Sequence, residues 1–275
     1  MYSDRPRFQP TTTRPMTMLA HLFAVIATIL LLVWLLRFRG GINLESDDSD
    51  LVFNAHPFLM VFGFIFMAGE AIMAYRMIPA EQNVQKFVHM ALHLVAITLG
   101  IVGIYAVFKF HRMSEIDNMF SLHSWLGMIT FCLYGLQWLF GFLIFWFPRA
   151  SDVSRHRIRP WHMFFGRVLL YLAIVTAETG LMEKATLTQL EVGSESRLMN
   201  FTGLFILLFG LAKWPNLIQT ILVSIYTTFS LYKPARLDDS LSSSSLSLGL
   251  SSSTRSIMAG TGIHPQQLQH SRIQT

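Results

Sequence analysis

Cysteine is almost missing from this sequence: Cys132 is the single one in 275 residues. No disulfide can form within the chain, and no Cys-x-x-Cys-His motif exists to attach a cofactor covalently. Cys132 lies in an apolar run and reads as a small packing residue. Charge is scarce as well. Charged residues make up 13% of the chain, against about 25% in a soluble domain. With 52% hydrophobic residues and a mean hydropathy of +0.46, the deficit points to a membrane protein. The net charge of +5 is not concentrated in a basic block. Single basic residues separate apolar segments, a pattern that speaks against nucleic-acid binding. No internal repeat is evident.

What is present is a series of long apolar runs. A membrane span needs about 20 apolar residues. Six candidates occur, at 17–36, 51–75, 87–108, 122–147, 161–182 and 198–212. The first is long for a signal-peptide core and follows a polar, basic stretch, so it reads as a retained anchor. Proline punctuates the series: Pro57 in a first turn, Pro79 and Pro148 after helix ends, Pro160 before a start. Trp34, Trp146 and Trp161 lie at span ends, where amphipathic rings prefer the headgroup level. The expected fold is an all-α, polytopic bundle of six transmembrane helices. The boundaries read as an N-terminal tail at 1–16, a transmembrane domain at 17–213, an apolar segment at 214–234 and a serine-rich, disordered tail at 235–275.

Lysine and arginine set the orientation. With the N-terminus cytosolic, the inner segments before the last span hold nine basic residues and the outer loops six. That balance favours a cytosolic N-terminus and, for 235–275, a cytosolic tail. After a Lys-Trp-Pro break, 216–232 is apolar but only 17 residues long, so it reads as a helix lying along the cytosolic interface rather than a seventh span.

In this orientation four histidines fall into two depths. His56 and His123 begin spans two and four, both near the outer face. His89 and His162 begin spans three and five, both near the cytosolic face. Facing imidazoles on neighbouring helices can hold a haem iron from both sides, and that ligation leaves no open position for O₂, which suits electron transfer. With a core of ~30 Å, two such irons would stand roughly 20 Å apart along the membrane normal. A zinc site, a proton pathway or a haem-free, metal-handling transporter could be built from the same histidines. His21 reads as an interfacial residue. Glu70 and Glu178 are intramembrane carboxylates that structural hydrogen bonding or proton handling would equally explain.

The segments "NAHPFLMVFGFI", "KFVHMALH", "NMFSLHSWLG", "RPWHMFFG" and "GLMEK" resemble the cytochrome b561 family, the transmembrane ascorbate-dependent ferrireductases, in its plant-type branch. The resemblance runs from about residue 18 to 212. It implies six helices, the central four holding two haems b, with His56 paired to His123 and His89 to His162. His93, one turn after His89, could reach a haem too, but Lys86 three residues before His89 matches the family's ligand position. The resemblance further implies that Arg76 and Glu183 lie near haem propionates or edges, that Lys86 and Arg155 receive cytosolic ascorbate, and that His111, in a wet outer loop, and Asn118 face the acceptor. That acceptor would be a ferric chelate or monodehydroascorbate. Gln82 stands where the family has a second lysine, with Arg157 or Arg159 as substitutes, and Phe120 stands where tyrosine is frequent. The family occurs in plasma and endomembranes and forms homodimers, which makes both expectations for this chain.

Overall fold

The computed structural model describes residues 13–212, together with 222 and 225. The chain divides into a unit at 1–227 and a second at 228–275. The second unit and the serine-rich tail lie outside the described residues, as does the expected interfacial helix at 216–232 apart from 222 and 225.

The described residues fold into six helices and no strands. Helix α1 (Thr13–Val33) winds on through a π-helical turn at Trp34–Phe38. Helix α2 is assembled from Ser49–Phe53, Ala55–Phe58, a π segment at Leu59–Phe66 and Met67–Met77. Then come α3 (Gln82–Met113), α4 (Leu122–Phe145), α5 (Asp152–Leu187) and α6 (Ser194–Leu211). The first five are long and apolar enough to cross a membrane. Glu195, Arg197 and Asn200 in its first turns keep α6, 18 residues long, below that apolarity.

Helices dominate because hydrocarbon offers no partner to a free peptide group, so each span satisfies its own backbone. The outer face of α4 carries Trp125, Ile129, Leu133, Leu136 and Phe140, exposed at intervals of three and four. That stripe suits lipid. Cys132 is exposed on the same helix rather than packed inside. Small residues govern the other face: Ala20, Ala24 and Ala27 on α1 are buried where α1 packs along α6, beside Phe209 and Ile206. Close approach through small side chains is what brings helices together without a hydrophobic drive between them.

Several expectations are corrected. Trp34, expected at a span end, does not face outward. It is buried, and its indole N–H donates to Glu195 Oε1 at 2.9 Å, joining the end of α1 to the start of α6. Pro160 does not precede a helix but lies inside α5. Ser151 caps the helix upstream by accepting from the Ser154 N–H, and the carbonyl freed by the proline belongs to His156, an exposed residue where water can serve it. His111 is in the last turn of α3, not in a loop. His21 is no bare interfacial residue either: its Nε2 lies 2.9 Å from Glu70 Oε2, tying α1 to α2. Pro57 stands in the first turn of Ala55–Phe58, after a break at Asn54. Asn54 is buried, and its amide donates to the carbonyls of Arg39 and Gly41. There the loop turns through positive φ at Gly40 (80°) and Gly41 (115°), a conformation that favours glycine.

Candidate functional site

The four span histidines meet in two pairs. The His56 and His123 ring centroids are 6.1 Å apart, with planes at 88°. His89 and His162 are 6.4 Å apart at 68°. One pair joins α2 to α4 and the other α3 to α5.

The orientation of each ring is fixed by its neighbour. His56 Nδ1 donates to the Gly103 carbonyl at 3.0 Å, His89 Nδ1 to Ala71 at 2.8 Å and His123 Nδ1 to Thr176 at 2.9 Å. His162 is held differently: the Gln137 amide nitrogen lies 3.0 Å from its Nδ1 and 2.8 Å from its carbonyl oxygen. In every case the bond uses Nδ1, and Nε2 is the nitrogen left for a metal. An outer-sphere bond of this kind sets ring direction and ligand basicity.

A regular plan underlies these contacts. Each of the four helices carries a histidine at one level and, at the other, the group that anchors its neighbour's histidine. Helices α2 and α3 anchor each other's imidazoles, and so do α4 and α5. Fourteen residues separate His89 from Gly103, His123 from Gln137 and His162 from Thr176. At 1.5 Å per residue the two levels are ~21 Å apart. Fifteen separate His56 from Ala71. The π segment of α2 lies between them and accommodates the extra residue.

The arrangement fits a metal held from both sides. Two metal–imidazole bonds of about 2.0–2.1 Å, with half a ring at each end, place the centroids roughly 6.3 Å apart. Glycine makes the room. A Cβ on Gly180 would lie 2.6 Å from His123 Cε1, and one on Gly141 would lie 2.8 Å from His162 Cε1. A cavity of about 460 Å³ opens around His56 and His123, lined mostly by apolar side chains such as Phe53, Met60 and Phe64. A broad apolar slot between two imidazoles suits a planar macrocycle. It does not suit a bare ion: among the described residues no group of three or more His, Cys, Asp or Glu side chains converges, and a structural zinc takes four ligands.

His93 lies beside the His89–His162 pair. Its ring meets His89 edge-on at 4.4 Å, too close to admit a macrocycle between them, and its Nδ1 bonds to the Tyr134 hydroxyl.

His111 and Glu183 line the same cavity as His56 and His123, together with Phe120 and Lys184. Asn118 is exposed, and its Oδ1 lies 3.0 Å from His111 Nδ1. Lys184 is held 4.0 Å over the Phe53 ring and 3.8 Å from Asp50. Sequence reasoning missed Lys184, although the "GLMEK" segment contains it. At the opposite end, beyond His89 and His162, Arg155 is engaged in a close ion pair with Asp152. Lys86 instead feels the positive fields of Arg149 and Arg159. Among the described residues no carboxylate pairs with these three. Arg157 and Gln82 are exposed. The Arg76 side chain lies outside the described residues. Glu178 faces α6, where a Cβ on Gly203 would come within 2.6 Å of its Oε2.

A sequence profile of eukaryotic cytochrome b561 matches residues 55–188, which contain all four paired histidines. The chain is 48% identical over 201 residues to a probable ascorbate-specific transmembrane electron transporter of Oryza sativa subsp. japonica, covering 71% of this chain and 86% of that protein. It is 44% identical over 198 residues to a transmembrane ascorbate ferrireductase of Arabidopsis thaliana, with 70% and 83% covered. A transmembrane ascorbate-dependent reductase of Homo sapiens is 44% identical over 183 residues, with 64% and 71% covered. With four imidazoles paired at two depths of a helical bundle and this extent of identity, the chain belongs to the eukaryotic cytochrome b561 family.

Proposed function

We propose that this protein carries electrons across a membrane from cytosolic ascorbate to an acceptor on the other side, a ferric chelate or monodehydroascorbate. The observation that carries the reading is the two imidazole pairs at 6.1 and 6.4 Å, anchored through Nδ1 at two levels. His56 and His123 would hold one haem b near the outer face, His89 and His162 a second near the cytosolic face. A haem so ligated supplies reversible one-electron chemistry at iron. The names of the relatives from rice, Arabidopsis and human supply the donor and, for the ferrireductase, the acceptor class.

The protein's own part is orientation and charge. Ascorbate is an anion at neutral pH and docks where cations stand unpaired. Lys86, Arg149 and Arg159 form such a group above the cytosolic imidazole pair. Arg155, committed to Asp152, takes a supporting place. At the other face His111, with Asn118, stands at the mouth of the outer cavity and presents a nitrogen to the acceptor.

Spectroscopy tests the reading. Purified protein should show a Soret band and two haems per chain, reduced by both ascorbate and dithionite. His123→Ala and His162→Ala should each roughly halve the haem content. A colourless wild-type protein, or both variants retaining two haems, would overturn the assignment.

A further inference from the structure

His93 and Tyr134 belong to neither imidazole pair, yet they join them. His93 lies one turn past His89 on α3, toward the bundle centre, and its ring stands at 86° to that of His89. Its Nδ1 bonds to the hydroxyl of Tyr134 on α4. Tyr134 is only 5% exposed, so a hydroxyl at this depth needs a partner. The Tyr134 ring packs edge-to-face on Phe64 at 4.7 Å, and Phe64 lines the outer cavity with His56. Phe131 closes the other side of Phe64 at 5.3 Å. It fits because Gly100 lacks a Cβ, which would stand 2.4 Å from its ring. One line of packed rings, with a hydrogen bond at its midpoint, thus runs from the cytosolic pair to the outer cavity. A mere clip between α3 and α4 would need the bond alone. It would not need one end stacked on His89 and the other on a wall of the opposite cavity.

We propose that the hydrogen-bonded His93–Tyr134 pair, continued by Phe64, is the medium through which electrons tunnel between the two haem sites. The proposal rests on the two-haem reading above. Tunnelling decays less steeply through bonded atoms and hydrogen bonds than across van der Waals gaps. One electron leaves the cytosolic centre, which is oxidised, and reduces the outer centre. His93 and Tyr134 neither gain nor lose an electron or a proton.

The test uses the full-length protein in lipid nanodiscs, with haem content, both midpoint potentials and the rate of transfer between the centres after flash reduction measured on each variant. Tyr134→Phe keeps the ring and removes the hydrogen bond. It should retain both haems and both potentials while slowing inter-centre transfer several-fold. His93→Phe should do the same, and His93→Gln, which can still bond to the Tyr134 hydroxyl, should recover part of the rate. Unchanged transfer in Tyr134→Phe with both haems present would overturn the proposal. So would a slowing fully explained by a shifted potential, since the pair would then tune a centre rather than connect two. Loss of the cytosolic haem in His93→Phe would also overturn it, by making His93 a ligand. A wild-type protein without haem would instead sink the underlying reading.

Discussion

At the scale of the residue, two glycines decide as much as the histidines they face. Gly180 and Gly141 each leave space into which an imidazole turns. Adding one methyl group to a packed site costs about 1–3 kcal/mol when neighbours cannot give, and here the neighbour is a ring pinned through Nδ1. Gly180→Ala should lower the occupancy of the outer haem and spare the cytosolic one, and Gly141→Ala should do the reverse; the pyridine haemochrome yield and the two midpoint potentials read this directly. Charge follows the same residue logic at the proposed donor face. Losing a charge-assisted contact costs about 1.5–3 kcal/mol, or roughly 10- to 100-fold in affinity. Lys86→Ala and Arg159→Ala should therefore raise the ascorbate concentration needed for half-maximal reduction by that factor, with dithionite reduction unchanged. Arg155→Ala should cost less, because Asp152 already occupies its guanidinium. Equal losses in all three variants would show that the ion pair opens for the anion.

At the scale of the element, the pairing of the histidines was legible because the order and direction of spans need only hydropathy. The anchoring groups were not. Gly103, Ala71 and Thr176 act through backbone carbonyls, and a carbonyl leaves no trace in residue type. Gln137 could have been noticed as a lone amide in an apolar run. The ends of α3 and α5 were hidden for a different reason: both helices continue past the apolar stretch into polar turns, where periodicity of hydrophobicity stops but the backbone does not. The π segment of α2 was equally invisible, since it changes winding rather than composition. It explains why His56 and Ala71 are fifteen residues apart while the other three helices use fourteen. Deleting Phe62, which is 40% exposed within the π segment, should convert that turn to α-helix and keep His56 and Ala71 in phase. Both haems should survive. Deleting Thr98, between His89 and Gly103 on α3, should rotate one half of the helix by ~100° against the other and carry Gly103 away from His56. The outer haem should then be lost. Loss of haem in the Phe62 deletion would show that the π turn has a function of its own.

At the scale of the whole molecule, the two ends differ in how their charges are spent. At the His56–His123 end Arg39 pairs with Glu195 at 2.5 Å, Lys184 with Asp50 and the Phe53 ring, and Lys109 donates to the Leu44 carbonyl at 2.6 Å. At the opposite end Lys86, Arg149 and Arg159 crowd together. Among the described residues no carboxylate offsets them. Lysine and arginine themselves bias topology, and their count of nine against six favours the Lys86 end. The end bearing Lys86 is thus expected in the cytosol. Two positions report on it. Val153 is 72% exposed at the start of α5, on the Lys86 side, and Val192 is fully exposed in the turn before α6, on the other. In a Cys132→Ala background and in sealed vesicles that present the cytosolic face of the membrane outward, Val153→Cys should react with an impermeant maleimide directly, and Val192→Cys only after the vesicles are opened. Ser252→Cys extends the measurement to the tail. Labelling like Val153 means that 216–232 does not cross the membrane, whereas labelling like Val192 means a seventh span. Val153→Cys protected in those sealed vesicles would invert the molecule, and with it place the proposed donor face, Lys86 included, outside the compartment that holds cytosolic ascorbate.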